Sequence, residues 1–345
     1  MSYLQEEIYA QPDVLRGLLA QQSGSIEQIA TQIRAYQPRF VVIAARGTSD
    51  NAARYAKYLF EIQLGLPVSL AAPSVNTLYD AQPNMAAALV IGISQSGQSA
   101  DVRQVIADAK ANGALTLAIT NYDDSPLAQS ADHHINLCAG EEKSVAATKT
   151  YTTELTVIAC LIQHIAQNDA ALSRLQQVPD DVAVALSHAE TLETWIRHFS
   201  YVERLAVIGR GYNYATAFEI SLKIKELCYI VGEQYSEADF RHGPIAIVSP
   251  RFPIIAIAPQ GKTLSLMLDL LEQLKAKEAS CIVISDNQDV LDQFEYSVAL
   301  PQDVPEWLMP ICAVIPGQFF AYNLALAKGY DVDQPRGLNK VTITH

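Results

Sequence analysis

The segment Ile91-Gly-Ile-Ser-Gln-Ser-Gly-Gln-Ser-Ala100 decides the fold. It closes an apolar run, Ala86 to Ile93, that reads as a buried strand, and then passes through a loop of hydroxyls and one glycine, Ser94 to Ser99. Helical spacing begins at once, with Val102, Val105, Ile106 and Ala109 at i, i+3, i+4 and i+7. A strand, a small-residue loop and a helix N-terminus make an anion site, because backbone N–H groups and the positive end of the helix dipole face whatever sits there. Ser94, Ser96 and Ser99 add hydroxyl donors, and Gly97 lets the backbone come close. The expected ligand is a phosphate held without a metal. The loop lacks the Gly-Lys-Ser/Thr of a nucleotide P-loop. The alternative is a plain βα turn in which Ser99 serves only as helix N-cap.

Working outward, strands alternate with helices. Before the loop come a strand over Phe40–Ala45, a turn at Arg46-Gly47-Thr48-Ser49, a helix from Asn51 to Leu64 and a short strand over Pro67–Leu70. After it come strands over Ala114–Thr120 and His134–Cys138, and a long helix from Lys149 to Ala166. This alternation implies an α/β fold with a doubly wound parallel sheet flanked by helices. Residues 1–35 carry helical periodicity (Ile8, Leu15, Leu18, Leu19, Ile26, Ile29, Ile33), with Pro12 able to open a helix, and read as an N-terminal arm. Residues 167–200 are polar and helix-prone and read as a connection between halves.

The second half repeats the first. Val207-Ile-Gly-Arg-Gly211 answers Ile43-Ala-Ala-Arg-Gly47, and the strand over Phe252–Ala258 answers the strand over 86–93. Both comparisons give an offset of 164 residues (Gly211 against Gly47, Ile257 against Ile93). A helix over Ser265–Ala276 and a strand over Ser280–Ser285 continue the parallel. An offset shared by several elements points to two copies of one α/β domain, not to a short-period solenoid. The copies diverge at the serine loop. The second reads Ala258-Pro-Gln-Gly-Lys-Thr263 and has lost the serines, so it must contribute something else.

Composition narrows the class. At 345 residues, half hydrophobic and 18% charged, the chain can bury two cores. The net charge of −13 argues against nucleic acid as a partner. No apolar run of spanning length is read and the opening residues do not resemble a signal peptide, so a cytoplasmic protein without membrane contact is expected. Five scattered cysteines without a CxxC pair read as reduced core thiols, and the pair His133-His134 lacks metal-ligand spacing.

The second half carries the reactive side chains. In Phe218-Glu-Ile-Ser-Leu-Lys-Ile-Lys-Glu-Leu227, Glu219, Lys223 and Glu226 fall at i, i+4 and i+7 on one face. A carboxylate beside an ammonium on a rigid helix suits proton transfer; ordinary surface Glu–Lys pairing is the alternative. His242, before Gly243-Pro244, sits on a forced turn as a candidate acid/base or as plain polar surface. Lys340 lies in a C-terminal tail whose apolar and Pro-Arg residues would tie it down. Desolvated there, it could form a Schiff base with a sugar carbonyl, although a surface lysine is the simpler reading.

Together these pieces resemble a known family. Gly47-Thr-Ser49, Ser94-Gln-Ser-Gly97, Val145-Ala-Ala-Thr-Lys149, Leu222-Lys-Ile-Lys-Glu226, Arg241-His-Gly-Pro244 and Asp331-Val-Asp-Gln-Pro-Arg336 with Lys340 are similar to the sugar-isomerase (SIS) half of glucosamine-6-phosphate synthases. The likeness runs from Glu7-Ile-Tyr-Ala-Gln-Pro12 to the last residues. It implies two tandem flavodoxin-like SIS domains, over 36–166 and 201–328, with an arm over 1–35, a connection over 167–200 and a tail over 329–345 carrying the catalytic lysine. It also implies roles. Gly47, Thr48, Ser49, Ser94, Gln95, Ser96 and Ser99 would hold the sugar phosphate and nearby hydroxyls, and Val145 and Ala147 would line the sugar. Glu226 would move a proton between C1 and C2 with Lys223 assisting, and Lys340 would form the imine. His242 would open the ring and reach the neighbouring subunit's site, which implies a homodimer. No cofactor is called for.

The departures bear on activity. Ala147 replaces the serine usual in the synthases, Arg46 their cysteine and Gly337 the asparagine of Pro-Arg-Asn-Leu, and Glu237-Ala-Asp239 departs from their Gly-Glu pattern. A glutamine-hydrolysing domain is not expected. The expected function is an aminosugar-phosphate deaminase that interconverts glucosamine 6-phosphate with fructose 6-phosphate and ammonia. A fructosamine-6-phosphate deglycase, another phosphosugar isomerase, or a non-catalytic sugar-phosphate sensor are the alternatives.

Overall fold

The computed structural model describes residues 2–340, and the end of the expected tail, Val341 to His345, lies outside them. The chain divides into two compact units. Among the described residues, the first gathers 13–142, 149–177 and Asn339 with Lys340; the second gathers 2–12, 143–148 and 178–338. The opening helix α1 (Tyr3–Tyr9) therefore belongs to the second unit, while most of α2 (Gln11–Tyr36) belongs to the first.

The first unit continues through β1 (Phe40–Ala44), α3 (Gly47–Leu64), β2 (Val68–Leu70), α4 (Ser74–Thr77), β3 (Ala88–Ile93), α5 (Ala100–Ala111), β4 (Leu115–Thr120), α6 (Pro126–Ser130), β5 (His133–Asn136), α7 (Lys149–Ala166) and α8 (Asp169–Leu175). Its five strands lie in the order β2-β1-β3-β4-β5, all parallel. Every residue of β3 is buried, as expected for a central strand covered on both faces, and this is why it reads as an unbroken apolar run. β1 connects outward to β2 and β3 connects the other way to β4, so the winding reverses between β1 and β3. In doubly wound sheets of this order, that reversal opens a crevice at the carboxyl ends of the strands where ligands bind. The register there sets Ala44 against Gly92.

The second unit repeats the arrangement with α9 (Val178–Ala189), α10 (Leu192–Trp195), β6 (Arg204–Gly209), α11 (Asn213–Cys228), β7 (Val231–Ser236), α12 (Glu237–Arg241), β8 (Pro253–Ile257), α13 (Leu264–Ala276), β9 (Ser280–Ser285), α14 (Gln288–Leu291), β10 (Tyr296–Ala299) and α15 (Met309–Ala327). The order β10-β9-β8-β6-β7 is the same topology, with its reversal between β6 and β8. The two-copy, doubly wound reading is what the chain folds into.

Three details differ from the sequence reading. Helix α3 begins at Gly47 and not at Asn51, so Gly47, Thr48 and Ser49 form its first turn. Strand β5 sits one residue earlier and stops at Asn136. The third concerns α15, which spans 19 residues at a mean hydropathy of 1.4, long and apolar enough by composition to cross a membrane, and 94% of its window is buried. It is apolar all round because it is covered all round, against α9 and α11 within the second unit. At Gly317 the contact with α11 is so close that a Cβ would stand 2.2 Å from Ile220 Cγ1.

Helix α1 is held at both ends. The N–H groups of Tyr3 and Leu4 donate to Asp333 Oδ2 and Oδ1 at 3.0 and 2.9 Å, a carboxylate at the positive end of a helix. Farther along, buried Glu7 accepts from the backbone N–H of Lys143 and from the N–H and hydroxyl of Ser144. All five cysteines are free thiols, and burial pushes Cys160 and Cys228 up to about 12, which keeps them unreactive.

Candidate active site

In the first unit, two loops leave the sheet side by side at the β1/β3 reversal. Gly47 opens α3 with φ +54°, and buried Ser49, one turn in, donates to Glu154 Oε1 of α7 at 2.7 Å. Across the reversal, the Gly97 N–H donates to Ser94 O and Ser94 Oγ, both at 3.2 Å, and the Gln98 N–H donates to Ser96 Oγ at 3.3 Å. Gly97 has φ +63°, and a Cβ there would stand 2.3 Å from Ser125 Oγ. Only glycine fits this pressed, left-handed position. Ser99 occupies the N-cap position of α5, yet its hydroxyl makes no capping bond and lies 3.5 Å from Ser94 Oγ. The loop therefore gathers hydroxyls without using Ser99 to close the helix.

Lys340 belongs to the same unit. Its Nζ lies 2.8 Å from Glu142 Oε2, a carboxylate whose side chain is fully buried. Glu142 also accepts from Thr150 N–H at 3.2 Å and Thr150 Oγ1 at 2.7 Å, in the first turn of α7. Thr150 and Glu154 are i, i+4 neighbours, so one face of α7 carries the tethers of both Lys340 and Ser49. The tail lysine is thus a part-buried ammonium fixed by a buried carboxylate, not a loose surface group.

In the second unit, the Glu219–Lys223–Glu226 face of α11 points inward. Lys223 is 1% exposed and Glu219 fully buried, which rules out ordinary surface pairing. The ammonium lies 3.4 Å from Glu219 Oε1 and 2.6 Å from Glu226 Oε2, the latter contact outside hydrogen-bond alignment. Glu226 keeps 23% of its side chain exposed. One carboxylate is therefore locked inside with the lysine while the other faces outward. His242 follows α12 as its C-cap, is exposed, and precedes Gly243 at φ +141°. Val145 and Ala147 sit in the segment 143–148, which Glu7 of α1 holds at one end and Gln318 of α15 meets at Thr148 O.

Comparisons with known proteins give the family. The SIS domain pattern matches residues 36–163 and again 198–328. The chain belongs to the SIS domain family. It is 35% identical over 348 residues to a glutamine–fructose-6-phosphate aminotransferase (isomerizing) of Thermococcus kodakarensis, covering 98% of this chain and 57% of that protein. The chain thus spans little more than half the length of that relative. The C-terminal domain of glucosamine-fructose-6-phosphate aminotransferase from Francisella tularensis superposes with a TM-score of 0.85 at 29% identity, over 97% of this chain and 98% of that one. A glucosamine-6-phosphate deaminase from Thermotoga maritima shares the fold, with a TM-score of 0.81 at 20% identity over 99% of this chain and all of that one.

The second SIS domain has its own reversal, and it is furnished differently. Gln260 N–H donates to Asp286 Oδ1 at 2.6 Å, and Gly261, at φ +140°, has the Glu306 carboxyl 2.6 Å from where a Cβ would stand. Arg210, the counterpart of Arg46, lies 3.4 Å from buried Glu237, which also pairs with Arg241. Burial pushes the Asp286 carboxyl up, and the nearby Asp303 charge adds to this.

Sequence reasoning missed the carboxylates that hold the site residues. Glu142, Glu154 and Glu7 looked like ordinary polar residues, because their partners lie far along the chain. Glu142 carried a usable signal, since it stands just before the Val145–Lys149 motif in the segment that leads into α7, and Glu7 opens the stretch Glu7–Pro12 in which the family likeness begins.

Proposed function

We propose that this chain is an aminosugar-phosphate isomerase that deaminates glucosamine 6-phosphate to fructose 6-phosphate and ammonia. The observation that carries the reading is the buried Lys223 ammonium between Glu219 and Glu226, with Glu226 alone partly open to solvent. A carboxylate so supported suits removal of the proton from C2 of an open-chain aldose and its return to C1. In this reading the serine loop with Gly47, Thr48 and Ser49 holds the phosphate, Val145 and Ala147 line the sugar, and His242 opens the ring. Transfer of the proton from C2 to C1, with a proton passing from the amine to O1, converts the 2-amino aldehyde into the C2 imine of the ketose. The Lys340 amine adds to C2 and displaces ammonia, and water then cleaves the lysine imine to release fructose 6-phosphate. The resemblance to the synthase isomerase half, and the 35% identity to an enzyme named for fructose 6-phosphate, support the substrate class. The enzyme would act in the cytoplasm as a homodimer, with His242 reaching the partner's site.

The test is ammonia release from glucosamine 6-phosphate, with fructose 6-phosphate followed in a coupled assay, for wild type and Lys340→Ala. Turnover that the variant loses supports the reading. A wild type inert toward glucosamine 6-phosphate refutes the deaminase, and trials with fructosamine-6-phosphate adducts then decide for or against a deglycase. For the dimer, mixing inactive His242→Asn with inactive Lys340→Ala restores activity only if sites are shared between subunits.

A further inference from the structure

Arg46 has no role in the reading above, yet it stands at the reversal of the first sheet. It leaves β1 two residues beyond Ala44, and the serine loop leaves β3 two residues beyond Gly92, the register partner of Ala44. The guanidinium and the serine loop therefore come off the same sheet edge, on the two sides of the crevice. The guanidinium is oriented: Nε and Nη2 both lie 2.7 Å from Asp101 Oδ2. Asp101 is 1% exposed and sits in the first turn of α5, the helix that the serine loop opens, where its Oδ1 accepts from Val102 N–H at 2.8 Å. The Arg46 side chain, by contrast, is 49% exposed. A guanidinium presents five N–H donors in a rigid fork, so a buried carboxylate on one edge fixes its plane while half the side chain stays open to solvent. An arginine whose task was only to neutralise Asp101 would need no more than the Nε–Nη2 edge that meets it. One tethered at a crevice lined with serine hydroxyls suits a dianion that needs a bidentate cation.

We propose that Arg46 is a second anchor for the substrate phosphate, oriented by Asp101, and that it sets the preference of this chain for dianionic sugar phosphates. The proposal rests on the reading of the serine loop as the phosphate site. Calorimetric titration with inorganic phosphate and with fructose 6-phosphate tests it without need of turnover. Arg46→Met is expected to weaken both by about 10- to 100-fold, the loss of one charge-assisted contact to an anion. Arg46→Lys should fall between, since lysine keeps the charge without the fork. Asp101→Asn should also fall between, since the guanidinium remains but is less firmly held. Thermal midpoints of each variant separate lost binding from lost folding; should Arg46→Met fail to fold, the other two variants carry the test. Affinities of the folded variants within twofold of wild type would overturn the role of Arg46 alone. A wild type that binds neither anion would overturn the phosphate reading together with it.

Discussion

The two sheets have one topology and two kinds of crevice. In the first, the residue after β4 is Asn121, whose amide accepts from Ala139 N–H and donates to Gly140 O while its own N–H donates to Gln95 O. In the second, the residue after β9 is Asp286, whose carboxylate takes the N–H of Gln260 in the loop that replaced the serines. One copy is rich in hydroxyls, and the carboxylate beside its loop, Asp101, is paired with Arg46. The other brings its own carboxylates, Asp286 and Glu306, to the same place. An internal carboxylate that has no cation beside it competes with a ligand anion for the N–H groups of such a loop. The second copy, with its crevice taken, carries its reactive groups on α11 instead.

This contrast can be broken at its deepest point first. Lys223→Met removes the ammonium that lies between Glu219 and Glu226 and leaves the fully buried Glu219 carboxylate without it. Urea unfolding should then show a loss of about 3–5 kcal/mol. A loss confined to turnover would mean that the lysine is catalytic without being structural. Next come the glycines. Gly97→Ala forces a left-handed residue into Ser125 and should cost about 2 kcal/mol and most of the phosphate affinity. Gly261→Ala, strained against Glu306, should cost a similar amount of stability and leave phosphate affinity unchanged. Equal binding losses in both would erase the distinction between the crevices.

The next change moves a charge from one copy to the other. Asn121→Asp gives the first crevice the carboxylate of the second and should weaken inorganic phosphate about tenfold. The smallest effect is the reverse exchange, Asp286→Asn. Burial, with help from Asp303, raises the Asp286 carboxyl, so the native state holds that proton more tightly than the unfolded chain. Stability is therefore full at low pH and is lost as pH rises through the raised value. The asparagine variant should melt slightly higher than wild type at pH 7. The gap should close as pH falls toward 3.8, the ordinary carboxyl value.

Much of this was legible in the sequence because it rests on local pattern. The β3 run, the serine loop and the α5 spacing lie within about twenty residues, and the 164-residue offset repeats whole elements. The inward turn of α11 was not legible. Glu219, Lys223 and Glu226 have the spacing of a surface helix, and the burial of Glu219 and Lys223 shows itself only in the folded chain. Helix α15 itself carries no amphipathic signal, because every face is buried. Lys340 was found through the motif it resembles, whereas its partner Glu142 lies 198 residues away, beyond any periodicity.

The clamp on α1 has a consequence for the order in which the chain is made. The Leu4 N–H waits for a carboxylate 329 residues downstream. At about 5–20 residues per second, that interval lasts tens of seconds. A helix of seven residues cannot stand alone in water for want of enough propagated turns. Helix α1 is therefore among the last parts of this chain to settle, and the Lys143–Ser144 backbone that Glu7 secures settles with it.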